Sequence, residues 1–165
     1  SGDHRKPWKE QVSSIILNLR CRDKEGNIIR MEHGRILVFS GKSGSGKTYQ
    51  LKKLINDQNS RFFHDDELLD MIVNCAKCAC VGKFKKADLT TRLLATGATV
   101  FAFDDIDYGF KGKTQCQKEI CNAIWNLAKR GHQVAIGVID IKDVPVIEQF
   151  LTSSPIEELV EWRFL

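Results

Sequence analysis

The chain has 165 residues, 42% of them hydrophobic and 28% charged, the size and make-up of one ordinary domain with its own core. Its formal charge of +4 tolerates an acidic partner such as nucleic acid without requiring one. No apolar run approaches the roughly 18 to 20 residues of a membrane span and the opening SGDHRKPWKE has no apolar signal core, so neither a membrane protein nor an exported one is expected. Six cysteines are too sparse to staple a chain of this length, which makes the reducing cytoplasm the natural compartment.

Residues 1–34 read as a lead-in, and the first two, Ser1 and Gly2, are set aside as the kind of pair a cloning junction leaves. Val12, Ile15, Ile16 and Leu19 recur at helical spacing, which predicts an amphipathic helix; DKEGN then turns at Gly26 and Asn27. From residue 35 to 165 the pattern is that of a single core. RILVF (35–39) is a short, continuously apolar strand followed by GKSGSGKT and the helical TYQLKKLINDQ. RFF (61–63) predicts a second strand, and DDELLDMIVNCAK a helix whose acidic start suits its N-terminus. KADLTTRLLAT reads as a short helix, TVFAF as a third strand, YGFKGK as a turn, and Thr114 to Lys129 as a long amphipathic helix stopped by Gly131. QVAIGVI is a fourth strand ending at Asp140, followed by a loop and the helical stretch PIEELVEW. Alternating strands and helices predict an α/β fold: a three-layer αβα sandwich around a parallel sheet, the P-loop NTPase architecture.

The segment Gly41 to Thr48 fits G-x-x-x-x-G-K-[ST], with strand before it and helix after it as that motif requires. Gly41, Lys42, Ser43, Gly44, Ser45 and Gly46 would turn backbone N–H groups toward phosphates, Lys47 would neutralise the β and γ phosphates, and Thr48 would place its hydroxyl on Mg²⁺. The plainer reading, a Gly/Ser turn with an incidental lysine, leaves the flanking strand and helix unexplained. TVFAFDDID delivers Asp104 and Asp105 to the same end of the sheet; Asp104 is assigned to the metal and Asp105 to the attacking water, against a bland alternative of a solvated acidic turn. Asp140, at the end of the fourth strand, either reads the γ-phosphate or fixes the attacking water, or simply caps the turn.

Two further clusters are weaker. Cys75, Cys78 and Cys80 contain half of a zinc knuckle, but no second C-x-x-C or His pair completes it, so reduced cysteines at a helix end are the simpler reading. Lys83, Lys85 and Lys86 surround Phe84 in a composition able to contact a nucleic-acid backbone, although a solvated basic face accounts for it as well.

The order GKSGSGKT, FFHDDELLDMI, VFAFDDIDYGF, the helix from Thr114 leading into QVAIGVID, and finally WRF resembles the AAA+ ATPase domain of the DnaA replication-initiator and DnaC/IstB helicase-loader type, over roughly residues 35–165. The resemblance implies Walker A at Lys47 and Thr48, Walker B at Asp104 and Asp105, sensor 1 at Asp140, and an arginine finger at Arg163 offered to ATP on a neighbouring protomer. It implies ATP with Mg²⁺ as ligand, and assembly on DNA or on a replication protein as the consequence. The stretch between Asp140 and Arg163 is longer than that family pattern and lacks its Arg-Leu pair. The sequence ends ahead of a helical lid, a sensor 2 arginine and a DNA-binding helix-turn-helix, so the expectation is the α/β subdomain alone, with weakened adenine binding and slow hydrolysis. Three alternatives stay open: a non-enzymatic adaptor on a P-loop fold, a viral superfamily 3-type helicase domain, whose strand would normally end in asparagine where Asp140 stands, and a small-molecule kinase, which would want arginines in a closing lid.

Overall fold

The computed structural model describes residues 34–55, 59–79 and 88–165. Five strands, β1 (Ile36–Ser40), β2 (Ser60–His64), β3 (Val100–Asp104), β4 (Gln133–Val138) and β5 (Val160–Phe164), build one parallel sheet in the order β2-β3-β4-β1-β5. Among the described residues they are connected by helices α1 (Lys47–Lys53), α2 (Asp65–Ala79), α3 (Leu89–Leu94), α4 (Ile106–Phe110), α5 (Thr114–Lys129) and α6 (Pro145–Thr152), with short 3-10 turns at Ile141–Asp143 and Ile156–Leu159. The fold is the expected α/β P-loop sandwich.

Strand alternation decides which residues meet which layer. Ile36, Val38, Phe101, Phe103, Val134, Ile136 and Val138 face the large core, where Trp125, Phe110, Phe150 and the apolar stripe of α5 cover them. The opposite face carries Leu37, Phe39, Phe62, Ala102 and Ala135, packed under Leu51, Leu54 and Ile55 of the α1 segment. On the two central strands β3 and β4 that face is therefore lined by small residues, Ala102, Ala135 and Gly137, and α1 settles close against them. By the same period-two rule, His64 and Asp104 lie on the α1 side of their strands, two residues beyond Phe62 and Ala102.

Four elements depart from the sequence reading. Five strands form rather than four: VEWRF is not the end of a helix but β5, a sheet-edge strand paired with β1. Val160 and Trp162 lean on the core from alternate positions, and pairing with β1 overrides the weak helical pattern. The segment after Asp140 is not plain loop, because Pro145 opens α6, and Ile147, Phe150 and Leu151 bury one face of it. The supposed turn after the aspartate pair begins with the short helix α4. Helix α1 ends at Lys53, earlier than the apolar pattern suggests. The lead-in helix, its DKEGN turn, Cys80, and Lys83, Lys85 and Lys86 lie outside the described residues, while Cys75 and Cys78 fall on the last turns of α2.

Candidate functional site

The loop Gly41–Thr48 leaves β1 and is tied back to the neighbouring strand by Gly41 N–H donating to the Val138 carbonyl at 3.1 Å. Gly44 (φ 82°) and Gly46 (φ 95°) hold left-handed conformations that a side chain would strain, so the loop can curl around a small anion. Lys47, 5% exposed, bends into the loop it follows: its Nζ donates to the Gly41 carbonyl at 2.6 Å and to the Lys42 carbonyl at 3.0 Å. Those carbonyls keep a buried ammonium solvated by protein, and the contacts can be exchanged for stronger ones to phosphate oxygens. The Ser45 hydroxyl, buried in the same loop, has no hydrogen-bond partner, a polar atom still to be satisfied.

Across the sheet, the Thr48 hydroxyl donates to Asp104 Oδ2 at 2.6 Å, joining the end of the loop to the end of β3 over 56 residues of sequence. Asp104 is 1% exposed, and its other oxygen accepts the Asp105 N–H at 2.9 Å. Strand β4 runs between β1 and β3, so this contact has to pass over it. Gly137 is what permits that. A Cβ there would stand 2.8 Å from Asp104 Oδ1 and 2.9 Å from Leu51 Cδ1.

Asp105 leaves the strand at φ 54°, the single non-glycine residue with positive φ among those described, and immediately precedes α4 without a side-chain cap bond. Burial comes first and the Asp104 and Asp65 carboxylates next in holding its carboxyl above the ordinary value of 3.8; Lys47 opposes them and Asp107 adds a little more. Asp65 belongs to the first turn of α2, which packs on Gly109 of α4. The two aspartates thus differ in setting: one is a buried carboxylate bonded to the loop threonine, the other a neighbour with positive φ and raised proton affinity. Thr48 and Asp104 offer hard oxygen donors side by side, a pair suited to a divalent cation.

Asp140 sits at the end of β4, yet its carboxylate accepts Lys142 N–H at 3.0 Å and so caps its own turn. Its backbone is held by a residue the sequence reading passed over. Asp107, 2% exposed on α4, accepts from Ile139 N–H at 2.9 Å and from Asp140 N–H at 2.7 Å through Oδ2, while its Oδ1 is buried without a partner. Behind it, Gln117 of α5 donates to the Phe110 carbonyl at 2.9 Å and accepts Val146 N–H at 3.1 Å, fixing α4 and α6 to the long helix. Arg163 lies on β5 at the sheet edge, bonded to Glu161 at 3.0 Å, with Arg35 on the other oxygen of the same carboxylate at 3.5 Å. His64, which the sequence offers only as a distant companion to the cysteine cluster, stands instead at the tip of β2, where its register partner on β3 is Asp104. Only sheet pairing reveals it, since 40 residues of sequence separate the two.

No family model matches the chain, and no curated protein matches it in sequence. Solved structures do. Domain III of the Thermotoga maritima replication initiation protein DnaA superposes with a TM-score of 0.59 at 18% identity, over 96% of this chain and 63% of that one. A DnaA replication initiator bound to AMPPCP and single-stranded DNA gives 0.55 at 15% identity, over 79% and 40%. AMPPCP-bound DnaA from Aquifex aeolicus gives 0.53 at 15% identity, again over 79% and 40%. The chain thus spans between 40% and 63% of the length of these structures. At such identities the likeness concerns architecture, and in architecture the chain carries the P-loop αβα sandwich seen in domain III of that DnaA.

Proposed function

We propose that this chain is an ATP-binding P-loop module of the AAA+ replication-initiator or helicase-loader kind, in which ATP with Mg²⁺ controls assembly on DNA or on a replication partner. The observation that carries the proposal is the 2.6 Å bond from Thr48 to the buried Asp104, made beside a lysine that already points into its own glycine loop. A Gly/Ser turn with an incidental lysine has no reason to build that contact across an intervening strand.

In this reading the loop amides and Lys47 bind the phosphates, Thr48 and Asp104 hold the cation, and the cation would supply charge neutralisation at the transferring phosphoryl group. Asp105 orients the attacking water and accepts its proton, which its raised proton affinity favours. Asp107 keeps the Asp140 turn at a fixed height beside these groups. The AMPPCP found in the DnaA structures supports a nucleoside triphosphate as the ligand, and the single-stranded DNA in one of them supports a nucleic-acid partner.

Assembly is supported by where the large apolar side chains are exposed. Tyr49, Tyr108, Ile139, Phe164 and Leu165 all stand on segments at the strand ends that carry the loop and the acids. Tyr108 and Phe164 are each 78% exposed, and Phe164 stacks on Trp162 with ring centroids 6.0 Å apart. Such a rim suits a partner that covers the nucleotide edge. Arg163, on the exposed edge strand, is the arginine we assign to a neighbour's nucleotide, its bond to Glu161 opening on contact.

Calorimetry with ATP and ADP in Mg²⁺, on wild type, Lys47→Ala and Asp104→Ala, tests the reading together with sedimentation in the same buffers. Binding that disappears in Lys47→Ala, with a mass increase in ATP alone, is the expected result. Absence of binding by wild type at millimolar ATP would overturn it.

A further inference from the structure

The carboxylate pair has a third companion that the P-loop chemistry leaves unused. His64, Asp104 and Asp105 each present one ligand atom, and these three atoms lie within 4.8 Å of one another. The arrangement follows from the sheet: β2 and β3 run parallel with His64 opposite Asp104, and both residues lie on the α1 side of their strands. The imidazole is further placed by Phe62, whose ring meets it edge-on at 4.9 Å, and Phe62 in turn lies under the Lys52 ammonium. No hydrogen bond or ion pair joins the imidazole to either carboxylate among the described residues, although a histidine beside two acids would ordinarily close onto one of them. Their ligand atoms lie close enough together to share one ion.

An imidazole nitrogen changes what such a space selects. Oxygen donors alone suit Mg²⁺, which prefers an octahedral shell and keeps much of its water. A nitrogen donor adds affinity for first-row transition ions, which bind nitrogen more strongly than Mg²⁺ does. We propose that His64, Asp104 and Asp105 form a site for a divalent transition-metal ion, giving this chain a metal preference of its own at the end of β2 and β3. The site shares Asp104 with the nucleotide cation but needs no nucleotide, so the inference stands or falls apart from the ATP reading.

The test uses Mn²⁺ as the probe, on nucleotide-free protein, by loss of the free-ion electron paramagnetic resonance signal and by pulsed measurement of nitrogen coupling. Wild type, His64→Ala, His64→Gln and Asp105→Asn are compared, with thermal melting to establish that each is folded. Wild type is expected to bind Mn²⁺ at least about tenfold more tightly than His64→Ala, since loss of even an outer-shell partner commonly costs that much. It should show coupling to an imidazole nitrogen that both His64 variants lose, and Mg²⁺ should displace Mn²⁺ more readily from the variants than from wild type. Equal Mn²⁺ affinity in wild type and in folded His64→Ala, or bound Mn²⁺ without nitrogen coupling, would overturn the proposal. Mg²⁺-ATP calorimetry on the same samples keeps the two questions apart: unchanged nucleotide binding in His64→Ala with weakened Mn²⁺ supports the transition-metal site, and parallel loss of both argues that His64 merely holds the fold of the edge.

Discussion

Asp107 reaches across 33 residues of sequence to accept the Asp140 N–H at 2.7 Å, and with it the Ile139 N–H at 2.9 Å. The end of β4 is thereby fastened to the helix that follows the aspartate pair. A buried carboxylate with two amide donors on one oxygen holds the end of β4 in position. Asp107→Ala is expected to lose about 3 kcal/mol of stability, because two buried amides lose a charged acceptor. Asp107→Asn, which keeps an acceptor oxygen, should lose much less. Urea denaturation of the two variants beside wild type checks the difference.

Asp105 should show stability and chemistry pulling in opposite directions. Its carboxyl holds its proton more tightly in the folded chain than at the ordinary value of 3.8, because of burial first and neighbouring carboxylates next. The favourable contribution is complete below pH 3.8 and is lost as pH rises through the elevated folded value, so at neutral pH the ionised group opposes folding. Asp105→Asn should therefore melt higher than wild type at pH 7, with the gain shrinking as pH falls toward 4, and asparagine tolerates the residue's left-handed backbone. Melting curves at a series of pH values measure this, and a turnover assay on the same protein is expected to show ATP hydrolysis lost.

Gly137 tests the close packing over β4. In Gly137→Ala the added methyl would press on Asp104 Oδ1 and Leu51 Cδ1, both under 3.0 Å from its position. An overpacked core of this kind commonly costs about 1 to 3 kcal/mol. The more telling effect is on the cation: nucleotide affinity should fall in Mg²⁺ more than it does in EDTA, since the displaced group is the carboxylate proposed to hold the metal. Calorimetry under both conditions gives the ratio.

Arg163→Ala should leave the monomer nearly as stable as wild type, within about 1 kcal/mol, because the pair with Glu161 is solvent-exposed. ATP binding should persist. ATP-dependent mass increase in sedimentation is what should disappear, and its survival would move the assignment to another cation.

The sequence carries the central architecture openly. β1, β3 and β4 are apolar apart from one end residue each, Ser40, Asp104 and Gln133, and α5 has so regular a stripe that its limits, Thr114 and Lys129, can be read from spacing. Lys47, Thr48 and Asp104 were legible because a motif fixes their neighbours on both sides, and the structure brings these three together. What escaped depends on partners far away in sequence. α4 looks like a turn because it contains Gly109, but that glycine is there to admit Asp65 from α2. β5 is strand only because β1 offers it an edge, and His64 joins Asp104 only through the β2–β3 register. Asp107 gave one faint sign, an acid followed by apolar residues on a short helical face, with nothing to say which amides it would meet.

The order of the strands bears on when the site comes into being. The loop and Asp104 belong to β1 and β3, yet the strand that lies between them, residues 133–138, is made later than either. A growing chain therefore possesses both halves of the grip well before it possesses the floor that sets their spacing. The spacing between Thr48 and Asp104 is therefore settled last, when β4 takes its place between the strands that carry them.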